Sequence, residues 1–215
     1  MNQIIYYKVL KLFLIAVFTK IGFGSTTQNN TKLIVIAISE PYAINPFKDN
    51  LFYLQSGISF KSLSETEGYK YLPDFGFGYK ISKNLSIEGS IFNHLSHSSP
   101  EQIIRGGVQY FFGTTDTLDW SCAIKKVNYR SVKNFDINSV TLDISRWTKY
   151  KKNYFRFGLG SSFYKNNNYI NTKEGQMNFV FLDIIIPISI LDIAFGSNIN
   201  PGFFSYSIHL TKDFY

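Results

Sequence analysis

The stretch FFSYSIHLTKDFY (residues 203–215) decides the fold. Phe204, Tyr206, Ile208 and Leu210 alternate with Ser205, Ser207, His209 and Thr211. A period of two is that of a strand whose faces meet different environments, one oily and one wet. A soluble sheet gives the same pattern, so the weight falls on how often the chain repeats it. From about residue 50 the repeat is persistent: Phe52/Leu54/Ile58/Phe60, Tyr71/Phe75/Phe77/Tyr79/Ile81, Leu85/Ile87/Ile91, Ile104/Val108/Tyr110/Phe112 and Leu118/Trp120/Cys122/Ile124. Val140/Leu142/Ile144, Phe155/Phe157/Leu159/Phe163, Val180/Leu182/Ile184/Ile186 and Leu191/Ile193/Phe195 follow. With the terminal stretch these make about ten strands, with eight or twelve as the neighbouring alternatives.

The polar positions between them are often Gly, Ser, Asn or charged, as in Gly76/Gly78, Thr141/Asp143 and Arg156/Gly158/Gly160. A sandwich facing bulk water favours Lys and Glu there. Small residues and isolated charges suit the crowded lumen of a small barrel, and the Phe/Tyr/Ile face suits lipid. The links alternate in length, from long KSLSETEG and KNNNYINTKEG to short SKN, TTDT, TKYKK and ISI. Long loops on one side and tight turns on the other are the habit of outer-membrane barrels.

Bulk composition agrees. Aromatic residues make up 18% of the 215-residue chain and charged residues only 17%, while mean hydropathy is −0.05. Rings without long apolar runs argue against membrane-spanning helices. At the N-terminus, Lys8 and Lys11 precede the apolar run Leu12 to Phe18, and Gly22-Phe23-Gly24 offers small residues for cleavage. Residues 1–24 read as an export signal, whose removal would lower the formal charge from +7 to +4. That mild excess has no clustered basic face, so no nucleic-acid partner is expected. Residues 25–49 form a periplasmic lead-in of uncertain structure: TKLIVIAIS has strand-like composition, but Pro41 and Pro46 follow. The single Cys122 forms no internal disulfide and reads as a small apolar strand residue. No Cys/His metal spacing, phosphate loop or cofactor motif is present, so none is expected.

With a terminal strand that alternates and ends in aromatics, the chain resembles the bacterial outer-membrane β-barrel proteins over its signal and about residues 50–215. The resemblance implies an antiparallel up-and-down transmembrane barrel in a Gram-negative cell envelope. It implies lipid and lipopolysaccharide as surroundings, and recognition of the last strand by the barrel assembly machinery. Phe214 keeps the register of Tyr206 to Leu210, whereas Tyr215 is one step out and Lys212 interrupts the oily face. At about ten strands side chains fill most of the interior. The expected role is therefore structural or in surface interaction, with passage of at most very small solutes. Oligomeric state is left open. A soluble exported β-sandwich is the alternative fold.

Two groups of residues invite chemistry. Folding hairpin on hairpin brings Asp143 roughly opposite Arg156, and Glu88 near Arg105, all on the polar face, where they read as lumen ion pairs. The segment IFNHLSHSSPEQ (residues 91–102) is similar, at His94-x-Ser96, to the His-x-Ser of the lipid A deacylase barrels. That resemblance implies a serine hydrolase in which Ser96 attacks an acyl ester, His94 takes its proton and Glu101 orients the base. The family has Asn after the serine where this chain has His97, and its motif lies near the chain's end. A non-enzymatic role is therefore the preferred reading.

Overall fold

The computed structural model describes residue 35 and residues 44–49, 51–62, 69–94, 101–114, 117–131, 135–168, 172–200 and 203–214. Among the described residues there are ten strands: β1 (Phe52–Ser62), β2 (Tyr69–Lys80), β3 (Leu85–His94), β4 (Glu101–Thr114), β5 (Thr117–Ser131), β6 (Phe135–Tyr150), β7 (Asn153–Asn168), β8 (Thr172–Ile188), β9 (Leu191–Asn200) and β10 (Phe203–Phe214). Each pairs antiparallel with the next, and β10 returns to β1, with Phe52 opposite Phe214 and Lys61 opposite Ser205. The sheet is one closed barrel, which rules out the two-sheet sandwich. The N-terminal reading of an export signal over residues 1–24 lies outside the described residues.

The barrel is inside out relative to a soluble protein. Ile124 is 58% exposed and Leu159 60%, while Ser86, Ser121, Thr141 and Ser162 are fully buried. In water such an exterior would be a continuous apolar patch of the kind monomers avoid. Surrounded by hydrocarbon, it is the low-energy arrangement, because the strands turn their side chains alternately to lipid and lumen. Rings cluster where the strands meet the tight turns. At the end carrying the tight turns, Phe112 stacks with Tyr110 and Trp120, each at 6.3 Å. Phe52 meets Phe214 across the closing seam at 5.9 Å. Lys212, which interrupts the oily face in sequence, lies 5.2 Å from the Phe214 ring, its long stem snorkelling at the rim.

Strands run further than their alternation suggests. The TKYKK link shrinks to Lys151 and Lys152, with Lys151 in the left-handed region at φ 55°, a conformation that tightens two-residue turns. The long KNNNYINTKEG link likewise gives most of its length to β7 and β8, where Lys165 and Glu174 pair at 3.0 Å. Lumen glycines make room for rings from neighbouring strands. A Cβ at Gly160 would fall within the Phe179 ring, and one at Gly78 within that of Tyr53. Gly160 is therefore a packing position and not a free site on the wet face.

Phe157 is 47% exposed in the middle of the oily face of β7. Phe157→Arg should cost about 2–4 kcal/mol near the bilayer midplane, while Phe157→Leu should cost under about 1.5 kcal/mol. Urea unfolding in lipid vesicles measures both. Equal tolerance of the two would contradict a lipid-facing exterior.

Candidate functional site in the barrel lumen

Because side chains alternate, each strand from β2 to β8 delivers a buried ionisable group to the lumen: Asp74, Glu88, Arg105, Lys125, Asp143, Arg156 and Asp183. A buried charge needs a partner, since desolvation otherwise drives it to neutralise or the fold to open. Arg105 Nη2 donates to Asp74 Oδ2 at 2.7 Å. Lys125 Nζ lies 3.4 Å from Glu88 Oε1 and 4.0 Å from Asp143 Oδ2. Glu88 and Lys125 stand on strands that do not pair with one another, with Gly107 of β4 between them in register. A Cβ at Gly107 would sit 3.0 Å from both Glu88 Oε1 and Lys125 Cγ, so the missing side chain lets the pair meet across an intervening strand.

Arg156 is almost wholly enclosed. In register it lies between Trp147 of β6 and Asp183 of β8. Its Nε donates to Asp183 Oδ2 at 2.5 Å, and its guanidinium lies 5.3 Å from the Trp147 ring and 4.9 Å from that of Phe181. Planarity allows the group to stack and donate in its plane at once, which an ammonium cannot do. Trp147 Nε1 in turn donates to Ser121 Oγ at 3.1 Å, and Ser121 Oγ shares a 2.9 Å hydrogen bond with Ser145 Oγ.

Val35 and residues 44–49, which precede β1, lie in this lumen. Val35 is fully buried among Ile103, Val127, Tyr129, Ile137 and the Phe179 and Phe181 rings, in the half nearer the long loops. Residues 44–49 lie in the half nearer the turns. There Ile44 packs on Tyr53 and Phe111, and the Phe47 ring stacks on Tyr154 at 6.0 Å. Lys48 Nζ donates to the carboxylates of both Asp192 and Asp213. Lys80 Nζ donates to the Asn45 carbonyl at 2.9 Å and to that of Lys48. Burial pulls the Lys48 pKa down, but its hydrogen bonds to Asp192 and Asp213 and their charges outweigh that, leaving it above the ordinary lysine value. The ammonium therefore stays charged through physiological pH. Beside this latch a cavity of about 40 Å³ touches Lys48, Lys80, Asp192, His209 and Asp213, room for a few waters.

The residues expected as lumen ion pairs all lie on the lumen face, in a register set by the shorter turn. Gly160 stands opposite Asp143, and Trp147 opposite Arg156. Arg105 sits diagonal to Glu88, opposite Ser90. Asp74, Lys125 and Asp183, which sequence reasoning did not single out, supply the close contacts. Lys125 was legible only as a charge in phase with Ser121 on β5, and its partner across Gly107 required the register of β3, β4 and β5. Of the serine hydrolase residues, Ser96 lies outside the described residues. His94 and Glu101 are backbone partners at the loop end of β3 and β4, and their side chains are not among those described.

Removing one partner of a buried pair leaves the other desolvated, at a cost of about 3–5 kcal/mol, whereas replacing both is far milder. Arg156→Leu should therefore destabilise by about that much, and adding Asp183→Leu should restore much of the loss. A double-mutant cycle in urea measures the coupling. Additive losses would show that Arg156 and Asp183 do not depend on one another.

No family model matches the chain, and no curated protein does. Among solved structures, it is similar to a KdgM porin in complex with disordered oligogalacturonate, at 11% identity and a TM-score of 0.44, covering 76% of this chain and 99% of that one. It is similar to a bacterial polysaccharide outer membrane secretin at 8% identity and a TM-score of 0.41, covering 78% and 100%. Neisserial surface protein A matches at 14% identity and a TM-score of 0.36, covering 76% and 97%.

Proposed function

We propose that this chain is an integral outer-membrane barrel held shut by its own N-terminal segment, with a structural or surface-interaction role. The observation that supports this most is the latch: Lys48 clasped by Asp192 and Asp213 with Phe47 stacked on Tyr154. The lumen is filled at each level, by Val35 and its apolar neighbours, then by the ion pairs, then by residues 44–49. A conducting pore needs a continuous wet path, and crossed ion pairs with stacked rings leave little width for one.

Export through residues 1–24 would deliver the chain to the outer membrane, and its last strand would be read by the barrel assembly machinery. An even strand number puts both ends of the barrel on one side, which would be the periplasmic side. The surroundings are then outer-membrane lipid and lipopolysaccharide, with the loops outward. This reading requires neither cofactor nor nucleic acid.

Planar-bilayer recording tests the shut lumen. The full chain should hold a closed baseline, and a version lacking residues 25–49 should show discrete conductance steps. Lys48→Glu, which sets three carboxylates against one another, should raise the frequency of brief openings. Steady conductance from the full chain, unchanged by the deletion, would refute the plug.

A further inference from the structure

One rung of the oily face is polar. Ser161 of β7 stands opposite Asn178 of β8, with Leu142 of β6 on its other side, and Gln176 lies one outward position further towards the loops. Ser161 Oγ donates to Asn178 Oδ1 at 2.8 Å, and Gln176 Nε2 donates to Ser161 Oγ and to Asn178 Oδ1, both at 3.0 Å. All three side chains face outward, with Phe163 beyond Ser161 and Leu159 before it. At about 3.3 Å per residue and a tilt of about 40°, Ser161 stands roughly 20 Å above the turn end of β7, near the loop-side edge of an apolar band about 25 Å tall. Below the rung a shallow, open groove runs over the same strands, lined by Leu142, Leu159, Val180 and Ile199, with Ser161 and Asn178 at its edge.

The internal hydrogen bonds do not use up these groups. The Asn178 amide keeps its NH2 donors and the Gln176 amide its carbonyl oxygen, neither with a partner among the described residues. A donor and an acceptor left side by side in a lipid-facing position are costly unless something from the bilayer meets both. Glycerophospholipid esters offer acceptors alone at this depth. An amide-linked acyl chain offers an N–H and a C=O together. We propose that this rung and groove bind one N-acylated glycolipid of the loop-side leaflet. Its amide N–H donates to Gln176 Oε1, its amide carbonyl accepts from Asn178 Nδ2, and its acyl chain lies along Leu142, Leu159 and Val180. The site rests on the membrane-barrel reading above, and goes beyond it by naming a ligand chemistry and the atoms that select it.

The test is native mass spectrometry of the full chain refolded into phosphatidylcholine vesicles, alone or with added phosphatidylglycerol or diphosphoryl lipid A. Gel mobility before and after boiling is followed in parallel. One lipid A per barrel should survive detergent extraction, with at least five-fold less phosphatidylglycerol. Gln176→Leu/Asn178→Leu should lose at least five-fold of the retained lipid A while still shifting on boiling, since leucines suit a lipid face. Asn138→Leu, an outward position on β6, should retain it. Equal retention by the double variant, equal retention of both lipids, or a mass of two chains in place of chain plus lipid would each overturn the site. A natural chain that shows no boiling shift would overturn the membrane reading itself, whereas a normal shift with no bound lipid A defeats only the site.

Discussion

Everything in this molecule depends on closing the sheet. In hydrocarbon there is no water to take up a free N–H or C=O, and each one left unpaired costs several kcal/mol. The β1–β10 seam removes both edges at once, running from Phe52 opposite Phe214 to Lys61 opposite Ser205. Closure also creates an inside. Once the oily side chains point outward, their alternate neighbours must fill a narrow lumen, and the chemistry of those neighbours follows from that enclosure.

The lumen solves its packing in two ways. Rings lie over glycines, as Phe179 does over Gly160, which restores contact where a strand lacks a side chain. Charges meet across the interior in pairs whose members stand on different strands, so each pair also ties strands together. Glu88 and Lys125 bridge a whole strand over Gly107. Lys48 does the same work for a segment outside the sheet, joining it to β9 and β10 through Asp192 and Asp213. A long-range ionic contact of this kind holds little by its charge alone, and gains from the stacking of Phe47 on Tyr154 beside it.

The fold class and strand number were legible because a period of two repeated from residue 52 onward carries its own evidence of two environments. Strand ends were not. Lys149, Tyr150, Lys165 and Glu174 extend β6, β7 and β8 past the apolar belt, and polar strand tips look like loops to any reading based on alternation. Turn length then fixes register, and a turn shortened to Lys151 and Lys152 moves every cross-strand partner with it. The lumen charges were visible as residues, but their pairing needed three-dimensional proximity across Gly107. The role of residues 44–49 was hidden for a different reason. Ile44, Phe47 and Lys48 have no periodicity to read, and the partners of Phe47 and Lys48 lie more than a hundred residues away at Tyr154, Asp192 and Asp213. The polar rung Ser161, Gln176 and Asn178 is in phase with the oily residues of β7 and β8, but its joining into one hydrogen-bonded group needed the cross-strand register.

The native cysteine offers the most direct test of the inside-out barrel. Cys122 is exposed on the outer face of β5, five residues beyond Thr117 and so roughly 12 Å into the apolar band. With the chain folded into phosphatidylcholine vesicles, a charged, membrane-impermeant maleimide should leave Cys122 unmodified, and should label it fully once urea unfolds the protein. Rapid labelling of the folded, vesicle-bound chain would place that face in water and contradict the lipid-facing exterior.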